Sequence, residues 1–244
     1  MPPNEERLAE VRAALDAVTD PELDQSVVDL DFIAAMEVEG DRVAVAFRLP
    51  TYWCSAGFAW IMAEDMRAAL LRLPWVRKAE VRLVDHFAAG RINQGVAAGA
   101  GFEAAFGAEA AGDLAALRET FRRKAFLGRM SALIEALRQT GMADAAIAAL
   151  TLAELVARPV DAGLVARYLA LRALYGGPAE EGDAAFRTPD GTAIADLGTW
   201  LRDIRMTRRS VEANGEMCRI LLKGRNDGAA PAELRHRESA RQTG

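Results

Sequence analysis

Residues 42–66 read RVAVAFRLPTYWCSAGFAWIMAEDM, and the spacing of their apolar side chains changes once along the stretch. The first part alternates larger and smaller side chains, which predicts a strand over residues 42–49 because successive side chains of a strand point to opposite faces. The later part repeats its large apolar residues every three or four positions, which predicts a helix over residues 55–72. The stretch therefore predicts a strand that passes through a short turn into a helix.

The flanking segments extend this pattern into a small α+β domain. Residues 5–18 have helical spacing, and Asp20-Pro21 ends that helix because the residue before a proline disfavours helical dihedral angles. Residues 31–39 predict another strand, which a short glycine-containing turn joins to the strand described above. Residues 76–84 alternate again and predict a third strand. The predicted order is α-β-β-α-β, a two-layer arrangement over residues 1–87.

The remainder of the sequence predicts a different architecture. Residues 88–112 are rich in glycine and alanine, which is typical of a linker with one or two short helical turns. Residues 113–225 have helical spacing that glycine and proline interrupt, so they predict a mainly α-helical second domain. The polar residues 226–244 are expected to be disordered. The predicted helices of the second domain are 113–140, 143–157, 161–175 and 196–223.

Composition and charge exclude several classes of protein. The net charge of -5 over 244 residues argues against nucleic-acid binding through bulk positive charge. Two cysteines are too few for a disulfide framework, and they do not have zinc-finger spacing. A membrane span needs about 18 consecutive apolar residues, which the sequence lacks, and residues 1–6 do not have the pattern of a secretory signal. We therefore expect a cytoplasmic protein with reduced thiols.

Cys54 is the strongest candidate for a reactive group, because it lies where the predicted strand gives way to the helix. Unpaired backbone N–H groups and the positive end of a helix dipole favour a thiolate over a thiol at such a position. A thiolate can hold iron or an iron–sulfur cluster. The neighbouring Thr51, Trp53 and Ser55 are candidate binding residues around it. The alternative is a small buried side chain in the core, as most free cysteines are.

The acidic turn Asp20-Pro21-Glu22 supplies the second group of candidates. Carboxylates close to a thiolate can help to bind iron or relay a proton, so Asp20 and Glu22 are candidate metal ligands. The alternative is a local structural role, in which Thr19 or Asp20 caps the turn and Pro21 fixes its φ angle.

His86 and Cys218 complete the set of candidate metal ligands. His86 follows the third predicted strand, where a neutral imidazole could coordinate a metal while Asp85 orients it; the alternative is a solvated histidine. Cys218 shares a helical face with Asn214, although the apolar residues that follow favour a buried structural cysteine. The arginines within residues 202–225 predict either a solvated helix face or a docking surface for an acidic partner.

Four short motifs follow one another at characteristic spacing. They are Asp20-Pro21-Glu22, Val28-Asp29-Leu30, Thr51 three positions before Cys54, and Leu73-Pro74-Trp75-Val76. Together they make residues 5–86 similar to the metal–sulfur cluster biosynthetic domain, the family that includes SufT-like and PaaD-like iron–sulfur assembly factors. The sequence departs from the family at two positions, because Ser55 stands where proline is frequent and Asp31 where glycine is frequent.

The resemblance implies an assembly or metalloenzyme maturation factor rather than an enzyme. In this hypothesis Cys54 transiently holds iron, a cluster or sulfur and passes it to a client apoprotein. The resemblance places the family's cysteine at Cys54 and its acidic turn at Asp20 and Glu22, while the helical half would recognise the client. PaaD-like relatives are associated with multicomponent oxygenases, so an oxygenase component is the expected client.

Two other hypotheses remain open. In the first, the protein is a metal-free adaptor or chaperone that binds an oxygenase subunit, and Cys54 is structural. In the second, Cys54 is the nucleophile of a thiol enzyme with His86 as base, which is least favoured because no oxyanion or triad pattern accompanies the thiol. A four-iron cluster requires four thiolates, and one chain offers two. Stable cluster binding would therefore need a homodimer, a small thiol or the client, and transient transfer fits better.

Overall fold

The computed structural model describes residues 4–107, 114–175, 180–194 and 196–228. For residues 205–213, 215 and 226–228 it describes the backbone alone. The chain divides into two compact units. The first unit is Met1–Arg118 together with Ala213–Gly244, and the second is Glu119–Glu212.

The first unit begins with the predicted α-β-β-α-β order, which confirms the α+β fold. The sheet has the strand order β1-β2-β3, with β1 antiparallel to β2 and β2 parallel to β3. The helix α2 connects the two parallel strands, as parallel pairing requires a crossover connection. The elements are α1 (Asn4–Asp16), β1 (Ile33–Glu39), β2 (Arg42–Arg48), α2 (Ala56–Leu71) and β3 (Lys78–Val84).

The core of this unit lies between the helices and one face of the sheet. Val43, Val45 and Phe47 are buried on β2, as their alternation predicted, and Trp60 and Met66 are buried on α2. Their burial removes apolar surface from water, which is the main favourable contribution to folding. The strands and α2 are therefore rigidly packed, and the loops at the carboxyl ends of β2 and β3 have a fixed support.

Asp31 occupies the position where glycine is frequent in the domain family that the sequence resembles, and it adopts a left-handed conformation with φ of 58°. Aspartate tolerates this region better than most residues with a side chain, because its short polar group can form local hydrogen bonds. The departure from glycine is therefore compatible with the same turn before β1.

The segment predicted as a glycine- and alanine-rich linker contains two helices, α3 (Ala89–Ala98) and α4 (Phe102–Phe106). Ile92 on α3 is fully buried in the core of the first unit. The backbone of α3 approaches α2 closely at Gly95, where a side chain would meet the Trp60 ring. The remainder of that predicted linker, residues 108–112, lies outside the described part of the chain.

The second unit is mainly helical, as predicted. The predicted helix over 143–157 is wrong as a single element, because Thr151 starts a new helix through a capping box with Glu154. Phe126, Tyr168 and Phe186 pack together in its core. The helices are α5 (Leu114–Gln139), α6 (Asp144–Ala148), α7 (Leu152–Val156), α8 (Ala162–Arg172) and α9 (Leu197–Gly228).

The division between the two units falls within α5 and α9, so each of these helices contributes residues to both units. The helix α9 continues to Gly228, past the expected start of a disordered tail at residue 226. The rest of that predicted tail, residues 229–244, is not among the described residues. Within the described part of the chain, no helix is both long and apolar enough to cross a bilayer.

Candidate functional site

The candidate site lies at the carboxyl ends of the parallel strands β2 and β3. Arg48 at the end of β2 is in register with Val84 at the end of β3, so the loops that follow these strands lie side by side. Two hydrogen bonds join the loops. The backbone N–H of Phe87 donates to the carbonyl of Tyr52 at 3.2 Å, and the His86 ring bonds the carbonyl of Cys54 at 2.8 Å.

Cys54 lies in the turn between β2 and α2, directly before the N-cap residue Ser55. It is a free thiol, packs partly against the core and keeps part of its surface exposed. Its Sγ atom lies 3.2 Å from Oγ1 of Thr51, and either atom can act as the donor. The turn can therefore present a sulfur ligand from a position that the core and the Thr51 side chain support.

His86 holds the turn in place through both of its ring nitrogens. The backbone N–H of Ala88 donates to Nδ1 at 3.2 Å, so Nδ1 is unprotonated and Nε2–H donates to the carbonyl of Cys54. Burial lowers the pKa of His86, which favours this neutral form. Metal ligation by His86 stays a prediction, and it would require one of these two bonds to break.

The carboxylate of Asp20 is buried inside the acidic turn. Its Oδ1 accepts hydrogen bonds from the backbone N–H groups of Glu22 and Leu23, each at 2.9 Å. Burial raises the pKa of Asp20 to about 6, although the two hydrogen bonds act in the opposite direction. Asp20 thus holds the turn through these hydrogen bonds, and its role as a metal ligand stays a prediction.

The terminal segment of α9, residues 214–225, contacts the same region of the first unit. Nδ2 of Asn214 donates to Oε1 of Glu22 at 3.0 Å, and Arg219 donates to the side chain of Gln25 at 2.8 Å. Leu222 is 2 % exposed and belongs to the core of the first unit. The segment is therefore anchored to the acidic turn by polar contacts and to the core by an apolar one.

Arg225 anchors the end of this segment to the loops that follow β2 and β3. It donates to the carbonyl of Leu49 at 2.8 Å and to the carbonyl of Asp85 at 2.8 Å, and it pairs with the Asp85 carboxylate. Asp85 thus pairs with Arg225 rather than orienting His86, whose ring nitrogens bond the backbone of Cys54 and Ala88. We did not predict this positioning role from the sequence, although the helical spacing of Asn214, Leu222 and Arg225 was a usable signal.

An exposed aromatic cluster, which consists of Tyr52, Trp53 and Phe87, lies beside Cys54. Trp53 is 74 % exposed and stacks on Phe87 with ring centroids 5.6 Å apart. Tyr52 packs edge-on against Trp53 at 4.9 Å. Exposed aromatic side chains that are grouped in this way are typical of an interaction surface.

The candidate metal ligands are not assembled into a complete coordination sphere. Among the residues that the structure describes, no group of three or more histidine, cysteine, aspartate or glutamate side chains is arranged to hold a metal ion. The terminal segment of α9 nevertheless brings Cys218 to the region of Asp20, Glu22 and Cys54. Cys54 and Cys218 can therefore offer sulfur ligands to iron or a cluster that obtains its other ligands from elsewhere.

Residues 8–83 match the family model described as iron-sulfur cluster assembly protein. This match confirms the resemblance that the four sequence motifs indicated for residues 5–86, and it supports iron–sulfur cluster assembly as the general function of the domain. Cys54, Asp20 and Glu22 lie within the matched residues, whereas His86 and Cys218 lie beyond them. No curated protein matches the chain.

Proposed function

We propose that this protein is a non-catalytic carrier in iron–sulfur cluster assembly, which transiently holds iron, a cluster or sulfur at Cys54 and delivers it to a client apoprotein. The observation that carries this proposal is the position of Cys54 in the matched domain, partly exposed on a turn that both the sheet and His86 support. A supported but accessible thiol can accept a soft ligand and release it to a competing protein.

In this proposal the protein supplies few of the ligands of its cargo and holds the cargo transiently. A complete site of four protein ligands would hold iron tightly and release it slowly, whereas a site with few ligands leaves positions open for exchange. The exposed aromatic cluster beside Cys54 would bring the client close to the cargo. We propose a component of a multicomponent oxygenase as the client, on the basis of the PaaD-like resemblance.

We expect Cys54→Ser to lower the amount of iron bound after anaerobic reconstitution with iron and sulfide by at least about tenfold, because a hydroxyl is a much poorer ligand for iron than a thiolate. The measurement is iron content and visible absorbance of the wild type and the variant after gel filtration. The control is the melting temperature, which should change little because Cys54 is only partly buried. Equal iron in both proteins would contradict a carrier built on Cys54.

Delivery is tested separately with purified apoprotein. The iron-loaded wild type is mixed with an apo-oxygenase component, the two proteins are separated, and iron is measured in the client. We expect transfer from the wild type, and less transfer from Trp53→Ser at equal iron loading. Retention of all iron by the loaded protein would contradict delivery to this client.

A metal-free adaptor is the second candidate function, and the exposed aromatic cluster is the observation that favours it. An adaptor would bind the same apo-oxygenase component whether or not iron is present. Cys54→Ser would then bind the client with unchanged affinity and still support its maturation, while Trp53→Ser would not.

A further inference from the structure

Cys218 is held on the inner face of the terminal segment of α9. Asn214 and Leu222 lie four residues before and after it, so all three share one face of the helix. Asn214 contacts Glu22, and Leu222 is buried in the core of the first unit. The side chain between these two anchors therefore faces the same region.

Cys54 and Cys218 approach that region from opposite ends of the sequence. Both are partly buried, and both pack against the same core. The helical segment that carries Cys218 bonds Glu22 through Asn214, and it bonds Leu49 and Asp85, which flank the Cys54 turn, through Arg225. Cys218 lies between these two anchors, and burial raises its pKa to about 11 with smaller contributions from Asp20, Cys54 and Glu22.

We propose that Cys54 and Cys218 form a two-thiol site that binds a thiophilic divalent cation such as Fe²⁺, with the remaining ligands supplied by water, a small thiol or the client. This inference rests on the proposed carrier function, and it adds a second sulfur from a helix outside the matched family residues.

The chemistry of binding balances without an oxidant or a reductant. The cation bonds each sulfur as a thiolate, and any proton that the thiol carries passes to water, so no electron is transferred. Thiolate sulfur is a soft ligand, which selects thiophilic cations over hard ones such as Mg²⁺.

The test is an anaerobic titration of the full chain with Cd²⁺ alone, followed by the cadmium–thiolate absorbance. We expect the absorbance of the wild type at saturation to correspond to two Cd–S bonds per cation, and that of Cys54→Ser and Cys218→Ser each to one. Each variant should also bind Cd²⁺ at least about tenfold more weakly, because even residues that only orient a metal ligand contribute about tenfold to metal affinity.

The outcomes separate this inference from the proposed function. If Cys218→Ser binds Cd²⁺ like the wild type while Cys54→Ser does not, the inference is wrong and the carrier proposal stands. If neither substitution changes binding, both are wrong. A melting temperature measured for each variant shows whether it is folded.

A second pair of variants tests the placement of Cys218 without changing a sulfur. Arg225→Met removes the contacts to Leu49 and Asp85 that hold the terminal segment, whereas Lys223→Met makes the same chemical change at an exposed position of the same helix. We expect weaker Cd²⁺ binding for Arg225→Met but the same absorbance at saturation, and no change for Lys223→Met. Equal affinity in both variants would overturn the two-thiol site, even if Cys218→Ser failed to fold.

Discussion

Asp20→Asn is expected to stabilise the first unit by about 3 kcal/mol at pH 8 and to leave its stability unchanged at pH 3. Burial raises the pKa of Asp20 from 3.8 to about 6, so the folded state disfavours the charged carboxylate. Asparagine keeps the Oδ1 acceptor for the N–H groups of Glu22 and Leu23, and it has no charge to bury.

The sign of this pH dependence follows from proton binding. Below pH 3.8 the carboxyl is protonated in both states, so its folded form carries no penalty. Between pH 3.8 and about 6 the unfolded state loses the proton while the folded state keeps it, and stability falls as pH rises. Above about pH 6 the loss is complete, and the asparagine variant should show its full advantage.

Urea unfolding of the wild type and Asp20→Asn at several pH values between 3 and 8 measures this difference. The matched control is Asp29→Asn, which neutralises an exposed carboxylate close by in the sequence, and surface substitutions usually change stability by less than about 0.5 kcal/mol. A constant difference between the wild type and Asp20→Asn across this range would contradict a raised pKa.

The same variant separates a structural role of Asp20 from a functional one. A carboxylate that only holds the turn is replaced by asparagine without loss of iron binding. If instead the carboxylate attracts the cargo, asparagine lowers iron binding, and the native protein keeps the charge although it reduces stability. We expect Asp20→Asn to be more stable and to bind less iron after reconstitution. A variant that is more stable and binds iron normally would assign Asp20 to the turn alone.

Gly95→Ala is expected to destabilise the first unit by about 1–3 kcal/mol, which is the usual penalty for overpacking a core. A Cβ atom at residue 95 would lie 2.5 Å and 2.7 Å from two atoms of the Trp60 ring. Trp60 is fully buried and packs edge-on against Phe102 with ring centroids 5.6 Å apart, so the ring cannot move aside freely. The helices α2 and α3 would have to separate.

A double-mutant cycle with Trp60→Phe tests this explanation. The two nearest atoms belong to the far side of the indole, which phenylalanine lacks, so Gly95→Ala should be much less destabilising in the Trp60→Phe background. Gly90→Ala is the matched control on the same helix, because among the described residues no atom lies within 4 Å of a Cβ built at Gly90. Additive effects of Gly95→Ala and Trp60→Phe would show that the contact is not the cause.

Local patterns were enough to predict the elements that present Cys54. The alternation of β2, the helical spacing of α2 and the turn between them depend on residues close together in the sequence, and the structure places all three within about two residues of the prediction. The same patterns failed for residues 143–157, where a capping box at Thr151 starts a second helix. A cap depends on side-chain hydrogen bonds that periodicity does not report.

The glycine-rich segment after β3 shows a different limit. Composition suggested a linker, because glycine is frequent in flexible connections. Gly95 is instead required by the close approach of α3 to Trp60, and Ile92 is part of the core. Glycine occurs both in flexible linkers and where two helices pack closely, and only the neighbouring side chain in the structure distinguishes the two cases.

The sequence by itself determined the order of the elements, the α+β class of the first unit and the position of Cys54 between a strand and a helix. Only the tertiary structure decided that His86 bonds the Cys54 carbonyl, that Asp20 is buried, and that α9 returns to the acidic turn. The physical reason is the distance along the sequence between the residues that interact. Backbone conformation follows from neighbouring residues, whereas the contact between Asn214 and Glu22 joins residues 192 positions apart and accompanies the burial of Leu222, on the same helix, in the core of the first unit.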